Sequence, residues 1–204
     1  MVLAVRDVCE HDLDSVLAVN NAAGEGILPM SKAQLRHFFD TADYFRVAEM
    51  DGAIAGFLIA VREYADHDSP NFLWFRERLP RFLYIDRIVI ARNSRRHGLG
   101  RVFYSDVQSY AEVRVPQLTC EVFLEPRDDA TLLFHGSFGF HEVGQQRMPG
   151  SDRPVSLLSK SLCSYDFVRE RYLEQGGLPD VPWLCERRRA DAEAPQHAVG
   201  TGHA

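Results

Sequence analysis

The stretch Tyr84-Ile85-Asp86-Arg87-Ile88-Val89-Ile90-Ala91-Arg92-Asn93-Ser94-Arg95-Arg96-His97-Gly98-Leu99-Gly100-Arg101-Val102 decides the fold. Its first half is rich in isoleucine, valine and aromatics and reads as a strand. Its second half sets Gly98 and Gly100 at the start of a periodic apolar segment that reads as a helix over Gly98 to Val113. The first amides of such a helix have no internal partners, and its dipole is positive there. Glycine lets a ligand approach the backbone closely. The junction is therefore suited to a pyrophosphate, with Arg95, Arg96 and Arg101 adding charge beside it. It lacks the Gly-Lys-Ser/Thr ending of a Walker loop. It also lacks the three glycines of a dinucleotide loop and does not follow the first strand of a parallel unit.

Working upstream, Val2 to Val8 reads as a short strand and Asp12 to Asn21 as a helix with Leu13, Val16 and Leu17 on one face. Ser31 is placed to cap a second helix carrying Leu35, Phe38 and Phe39. Tyr44 to Glu49 and Ala53 to Val61 form a hairpin across Asp51-Gly52, a favoured tight-turn pair. Residues 62–80 are a long mixed insertion, the kind of segment that serves as a binding element or lid. Downstream come a strand over Gln117 to Leu124, a helix over Asp128 to Phe138, and strands over His141 to Arg147 and Val155 to Leu162, turning near Pro149-Gly150. Ser164 to Glu174 reads as a further helix. From Cys185 onward little apolar content remains beyond alanine, which predicts a disordered tail. Antiparallel hairpins flanking one strand-helix-strand unit give an α+β class on a central mixed sheet. Residues 1–163 form the predicted domain, and 164–204 a C-terminal helix and tail.

The chain has 204 residues, of which 46% are hydrophobic and 25% charged, the balance of an ordinary globular domain. A net charge of -6 argues against general nucleic-acid binding and is compatible with a cationic substrate. Cys9, Cys120, Cys163 and Cys185 stand too far apart for a zinc spacing, so no metal is expected. No apolar run approaches the ~20 residues of a membrane helix, and charge enters too early for an export signal. The expected compartment is the cytoplasm.

Arg95-x-x-Gly98-x-Gly100 resembles the cofactor motif of the GNAT superfamily of N-acetyltransferases, and Phe134-His135-x-x-x-Gly139-Phe140 resembles its second motif. The resemblance covers roughly Val2 to Leu162. It implies a mostly antiparallel sheet flanked by helices, with a V-shaped splay between the fourth and fifth strands. It implies transfer of an acetyl group from acetyl-CoA to a primary amine by direct attack. The implied cofactor contacts are Ile88, Val89 and Ile90 on the strand, Arg95, Arg96, His97, Gly98, Leu99, Gly100 and Arg101 in the turn, and Asp128, where relatives often carry Asn. A backbone amide at Val89 or Ile90 would polarise the thioester carbonyl.

Direct attack requires a base, because an amine with a pKa near ~10 is protonated at neutrality. Asp86 interrupts an apolar strand two residues from Tyr84 and is the expected base, with Glu121 in reserve. His135 stands where many relatives carry Tyr and is the expected acid for the departing thiolate. Cys120 as a nucleophile has no identifiable base beside it. The resemblance places the acceptor between residues 20–29 and 64–79 and leaves small-molecule and protein amines both open, as it does a homodimer. A non-catalytic acyl-CoA sensor and a protein-interaction module on the same fold are the alternatives.

Overall fold

A computed structural model describes residues 2–149 and 152–187. Among them lies one seven-stranded sheet in the order β1-β2-β3-β4-β5-β7-β6. The strands are β1 (Leu3–Asp7), β2 (Tyr44–Met50), β3 (Ala53–Arg62), β4 (Leu83–Ile90), β5 (Gln117–Phe123), β6 (His141–Arg147) and β7 (Pro154–Ser161). The helices are α1 (Leu13–Asn21), α2 (Lys32–Thr41), α3 (Pro70–Arg76), α4 (Leu99–Glu112), α5 (Asp129–Ser137) and α6 (Tyr165–Val168). Among the described residues no helix is long and apolar enough to cross a membrane.

Local chemistry sets these boundaries. Ser31 Oγ accepts from Gln34 N at 3.2 Å, and Gln34 Oε1 accepts from Ser31 N at 2.9 Å, a reciprocal cap that starts α2. Asp51 and Gly52 hold φ of 50° and 84°, the turn that joins β2 to β3 without splaying them. Asp128 starts α5 by accepting from Thr131 N at 3.1 Å. Within the 62–80 insertion, which the sequence presents as mixed loop, Pro70 opens the short helix α3.

The sheet is antiparallel except at β4 and β5, which pair in parallel only at Leu83↔Leu118 and Tyr84↔Thr119. Beyond those pairs the strands diverge, as the expected V requires. Each face carries its own core. On one, α4 packs Leu99, Phe103, Tyr104 and Val107 against Leu83, Ile85, Leu118 and Cys120, with Phe134 of α5 and Phe138 just after it alongside. On the other, α1, α2 and α3 pack Val16, Leu35, Phe38, Phe72 and Phe75 against Phe45, Val47, Phe57, Ile59 and Tyr84.

The end of the chain requires a correction. Residues 185–187 are docked, although their composition predicts disorder. Arg114 Nε donates to Glu186 Oε1 at 2.9 Å. Arg187 is 9% exposed and donates to Ala42 O at 3.2 Å and Phe39 O at 2.7 Å, its guanidinium lying over the rings of Phe39 and Phe45. Charged atoms can seat a segment that has little apolar surface when they meet otherwise unpaired carbonyls. The rest of the predicted tail, 188–204, lies outside the described residues, as does part of the predicted turn at Pro149-Gly150. Arg187→Ala should cost on the order of 1–3 kcal/mol and lower the melting temperature by roughly 2–10 °C. An unchanged melt would mean that this docking contributes nothing in solution.

Candidate active site

The predicted anion loop sits where β4 leaves the sheet and α4 begins. Gly98 is the N-cap of α4 at φ 80°, and a Cβ added there would meet nothing within 4 Å. Arg96 is also left-handed, at φ 67°, a costly conformation for a residue with a Cβ and one that concentrates at functional sites. Gly100 backs onto α5, where an added Cβ would stand 3.4 Å from the Phe134 ring. Ile90, Ser94, Arg95, Arg96, Gly98, Leu99, Gly100, Arg101 and Phe134 line an open groove of about 260 Å³ at this helix end. His97 is exposed in the same turn, and Arg101 lies with its guanidinium over the Phe138 ring. Arg95 is tied to backbone, its Nε donating to Ile90 O at 3.3 Å and a terminal N–H to Ala23 O at 3.1 Å. A groove with a positive helix terminus, unobstructed glycine and flanking arginines fits a pyrophosphate.

The open edge of β4 continues that groove. Ala91 N–H donates to Ala55 O at 2.9 Å, toward β3. Amide direction alternates along a strand, so Val89 also faces β3, while Ile88 and Ile90 face the widening gap toward β5. Of the amides expected at the thioester carbonyl, Ile90 is thus oriented into the V and Val89 is not.

The other face of the V holds a polar cluster. The pairing of β3 with β4 passes from Ala60↔Ile85 to Ile59↔Arg87, which leaves Asp86 as the extra residue of a bulge. The bulge brings Arg87 onto the face that Tyr84 and Asp86 share. Asp86 is clamped, with Arg87 Nε 2.6 Å from one oxygen and His67 Nε2 3.0 Å from the other. The His67 contact is a close approach that does not meet the geometry of a well-formed hydrogen bond. Burial opposes the Asp86 charge and is the largest single influence, but Arg87 and His67 together outweigh it and hold the carboxyl below its ordinary value. Glu121 on β5 behaves oppositely. Enclosure by protein and the nearby Asp86 charge push it up to about 7, against hydrogen bonds from Tyr84 and Asn71. Tyr84 donates its hydroxyl to Glu121 Oε2 at 2.6 Å.

The remaining expected residues fall as follows. His135 is 6% exposed, with Nδ1 2.8 Å from Thr131 O and Nε2 2.6 Å from the Tyr104 hydroxyl. A carbonyl only accepts, so Nδ1 carries the proton and Nε2 receives the one from Tyr104. Burial lowers the imidazole below its ordinary value and keeps it neutral near pH 7. Asp128 turns both oxygens to Thr131, accepting from its amide at 3.1 Å and its hydroxyl at 2.6 Å. Cys120 is buried on the α4 side, where desolvation pushes its thiol up and makes it inert as a nucleophile. His67 and Asn71, which the sequence offers only as acceptor-side residues of the 64–79 loop, prove to be the neighbours of Asp86 and Glu121. Asn71 and His67 lie in the insertion, and only their polarity among aromatics marks them.

The chain is similar to known proteins in sequence family and in fold. A model of the acetyltransferase (GNAT) family matches residues 13–140. The ribosomal-protein-S18-alanine N-acetyltransferase of Escherichia coli superposes with a TM-score of 0.62 at 16% identity, covering 79% of this chain and 94% of its own. Ard1 of Thermoplasma volcanium superposes with a TM-score of 0.64 at 14% identity, covering 79% and 99%. The NatC complex bound to Gag peptide and CoA does so with a TM-score of 0.57 at 14% identity, again covering 79% and 99%. At such identities the likeness is one of fold. No curated protein matches the sequence.

Proposed function

The chain belongs to the GNAT acetyltransferase family, and from that premise we propose that it transfers an acetyl group from acetyl-CoA to a primary amine, with Glu121 as the base. The turn from Arg95 to Arg101 would hold the pyrophosphate on the α4 terminus, and the open amides of Ile88 and Ile90 would receive the pantetheine arm and the thioester carbonyl. The CoA seen in the NatC complex supports this choice of donor.

One observation carries the reading: the two carboxyl groups beside the V are pushed apart, Asp86 below its ordinary value and Glu121 up to about 7. A carboxylate poised near neutrality can take a proton from an amine, and one held low by an ion pair cannot do so efficiently. Tyr84 fixes the Glu121 oxygen, and Asp86 acts as a positioning residue that orients Arg87 and raises Glu121 through its charge. The neutral, doubly engaged His135 is not carried forward as the acid. A thiol with a pKa near ~8.5 leaves tolerably well as the thiolate, and His135 instead packs the cofactor side.

The direct test is release of CoA thiol from acetyl-CoA with a broad panel of primary amines. Cofactor binding without thiol release from any of them would favour the sensor reading. Asp86→Asn separates the two carboxyl groups. Removing the neighbouring negative charge should let Glu121 ionise more easily and move the acidic limb of the pH–rate profile to lower pH, with turnover surviving. Disappearance of that limb together with turnover would return the base to Asp86.

A further inference from the structure

The loop between α1 and α2 is held by three arginines from three different places. Arg95 donates to Ala23 O at 3.1 Å, Arg153 to Glu25 O at 2.9 Å and Arg87 to Leu28 O at 3.3 Å. Arg87 lies on β4 and Arg95 in the turn that follows it, so two of these ties belong to the β4 half of the sheet. Arg153 belongs to the other half. It precedes β7, its remaining N–H groups donate to Glu125 O at 2.9 Å and 2.7 Å, and its guanidinium lies 3.8 Å from the centre of the Phe123 ring at the end of β5. The Arg153–Glu25 bond therefore spans the widest part of the V, on the face that carries Glu121. The second border of that face is also closed. On α3, Asn71 accepts from Gln146 and reaches Met148 Sδ at 3.2 Å, and Trp74 seats on β6 so closely that a Cβ on Gly144 would come within 2.8 Å of it.

We propose that Arg153 is a specificity-determining residue, a latch whose bridge to Glu25 admits a small primary amine to Glu121 and excludes a polypeptide. The inference rests on the acetyl-transfer reading above. An extended peptide crossing this face would have to displace the guanidinium, which breaks the tie between the two halves and uncovers the half-buried Phe123 ring. Water can replace the donor at the exposed carbonyls of Glu25 and Glu125, but a planar guanidinium that forks between two carbonyls and stacks on an aromatic ring has no simple replacement. A compact amine makes no such demand.

The test compares wild type, Arg153→Ala and Arg153→Lys with acetyl-CoA, a set of small primary amines and a series of short peptides with free N-termini. Wild type should use the small amines and not the peptides. In Arg153→Ala the ratio of kcat/KM for peptide to small amine should rise at least roughly tenfold, mainly through KM. Arg153→Lys, whose ammonium cannot fork between two carbonyls, should fall between, and it carries the test if the alanine variant folds poorly. Amide hydrogen exchange over 23–28 should quicken in both variants. Peptides used by wild type as readily as small amines would overturn the proposal, and so would an unchanged ratio. Failure of every amine in wild type overturns the transfer reading and the size selection with it, and exchange in the loop then reports the latch by itself.

Discussion

Glu121→Gln is expected to lower turnover at least ~100-fold near neutral pH while leaving acetyl-CoA affinity within about threefold. The amide keeps the shape of the carboxyl and can still accept the Tyr84 hydroxyl, which donates at 2.6 Å in the wild-type protein. It cannot take a proton. In wild type the acidic limb of the pH–rate profile should fall near the value of about 7 to which the site pushes Glu121, with the rate rising as pH climbs through it. The limb should be absent from whatever activity the variant retains. The same substitution has a signature in stability. Folding raises this carboxyl from 4.5 to about 7, so the folded state binds its proton more tightly than the unfolded chain. The resulting stability is complete below about 4.5 and is lost as pH rises through about 7, by up to roughly 3 kcal/mol. Glutamine has no proton to lose. The melting temperature of the variant should therefore gain on that of wild type between pH 5 and pH 8. A variant that keeps full turnover would remove Glu121 from the chemistry, and a pH-independent difference in melting would mean that the carboxyl is not perturbed.

Gly98→Val should weaken acetyl-CoA binding at least roughly tenfold, about 1.4 kcal/mol, as read by calorimetry on the folded protein. Two effects act together. Gly98 holds φ 80°, where a β-branched residue is strained by roughly 1–2 kcal/mol, so the cap of α4 must shift. Its Cβ position is also empty within 4 Å and opens on the groove lined by Arg95, Arg96 and Arg101. A valine there would stand where a pyrophosphate must approach the amides. Gly98→Ala carries the same backbone strain with a smaller obstruction and should lie between. If valine lowers the melting temperature and leaves affinity intact, the anion site is not on this turn.

The sequence alone determined most of the elements and the glycine loop, though not the short helix α3 inside the insertion. Those features are local: β-branched runs, Asp51-Gly52, the Ser31 cap, and glycines at the start of α4 depend on neighbours a few residues away, and the chain order displays them directly. The V between β4 and β5 came from motif resemblance, and the open orientation of Ile90, as against Val89, needed the pairing of Ala91 with Ala55. Tertiary structure alone decided the charges. Along a regular strand Asp86 and Arg87 point to opposite faces, and only a bulge, a property of how β3 and β4 pair, turns both to one side and lets Arg87 hold Asp86 low. Glu121 is raised by enclosure and by a carboxylate on another strand. His135 is kept neutral by burial, with Tyr104 from α4 hydrogen-bonded to its Nε2. Residues 185–187 looked unstructured because composition counts apolar surface, while the segment is seated by an ion pair and two backbone carbonyls more than a hundred residues away in the chain for Arg187. A pKa or a docked charge measures the surroundings of an atom in space, and those surroundings are assembled from distant parts of the chain.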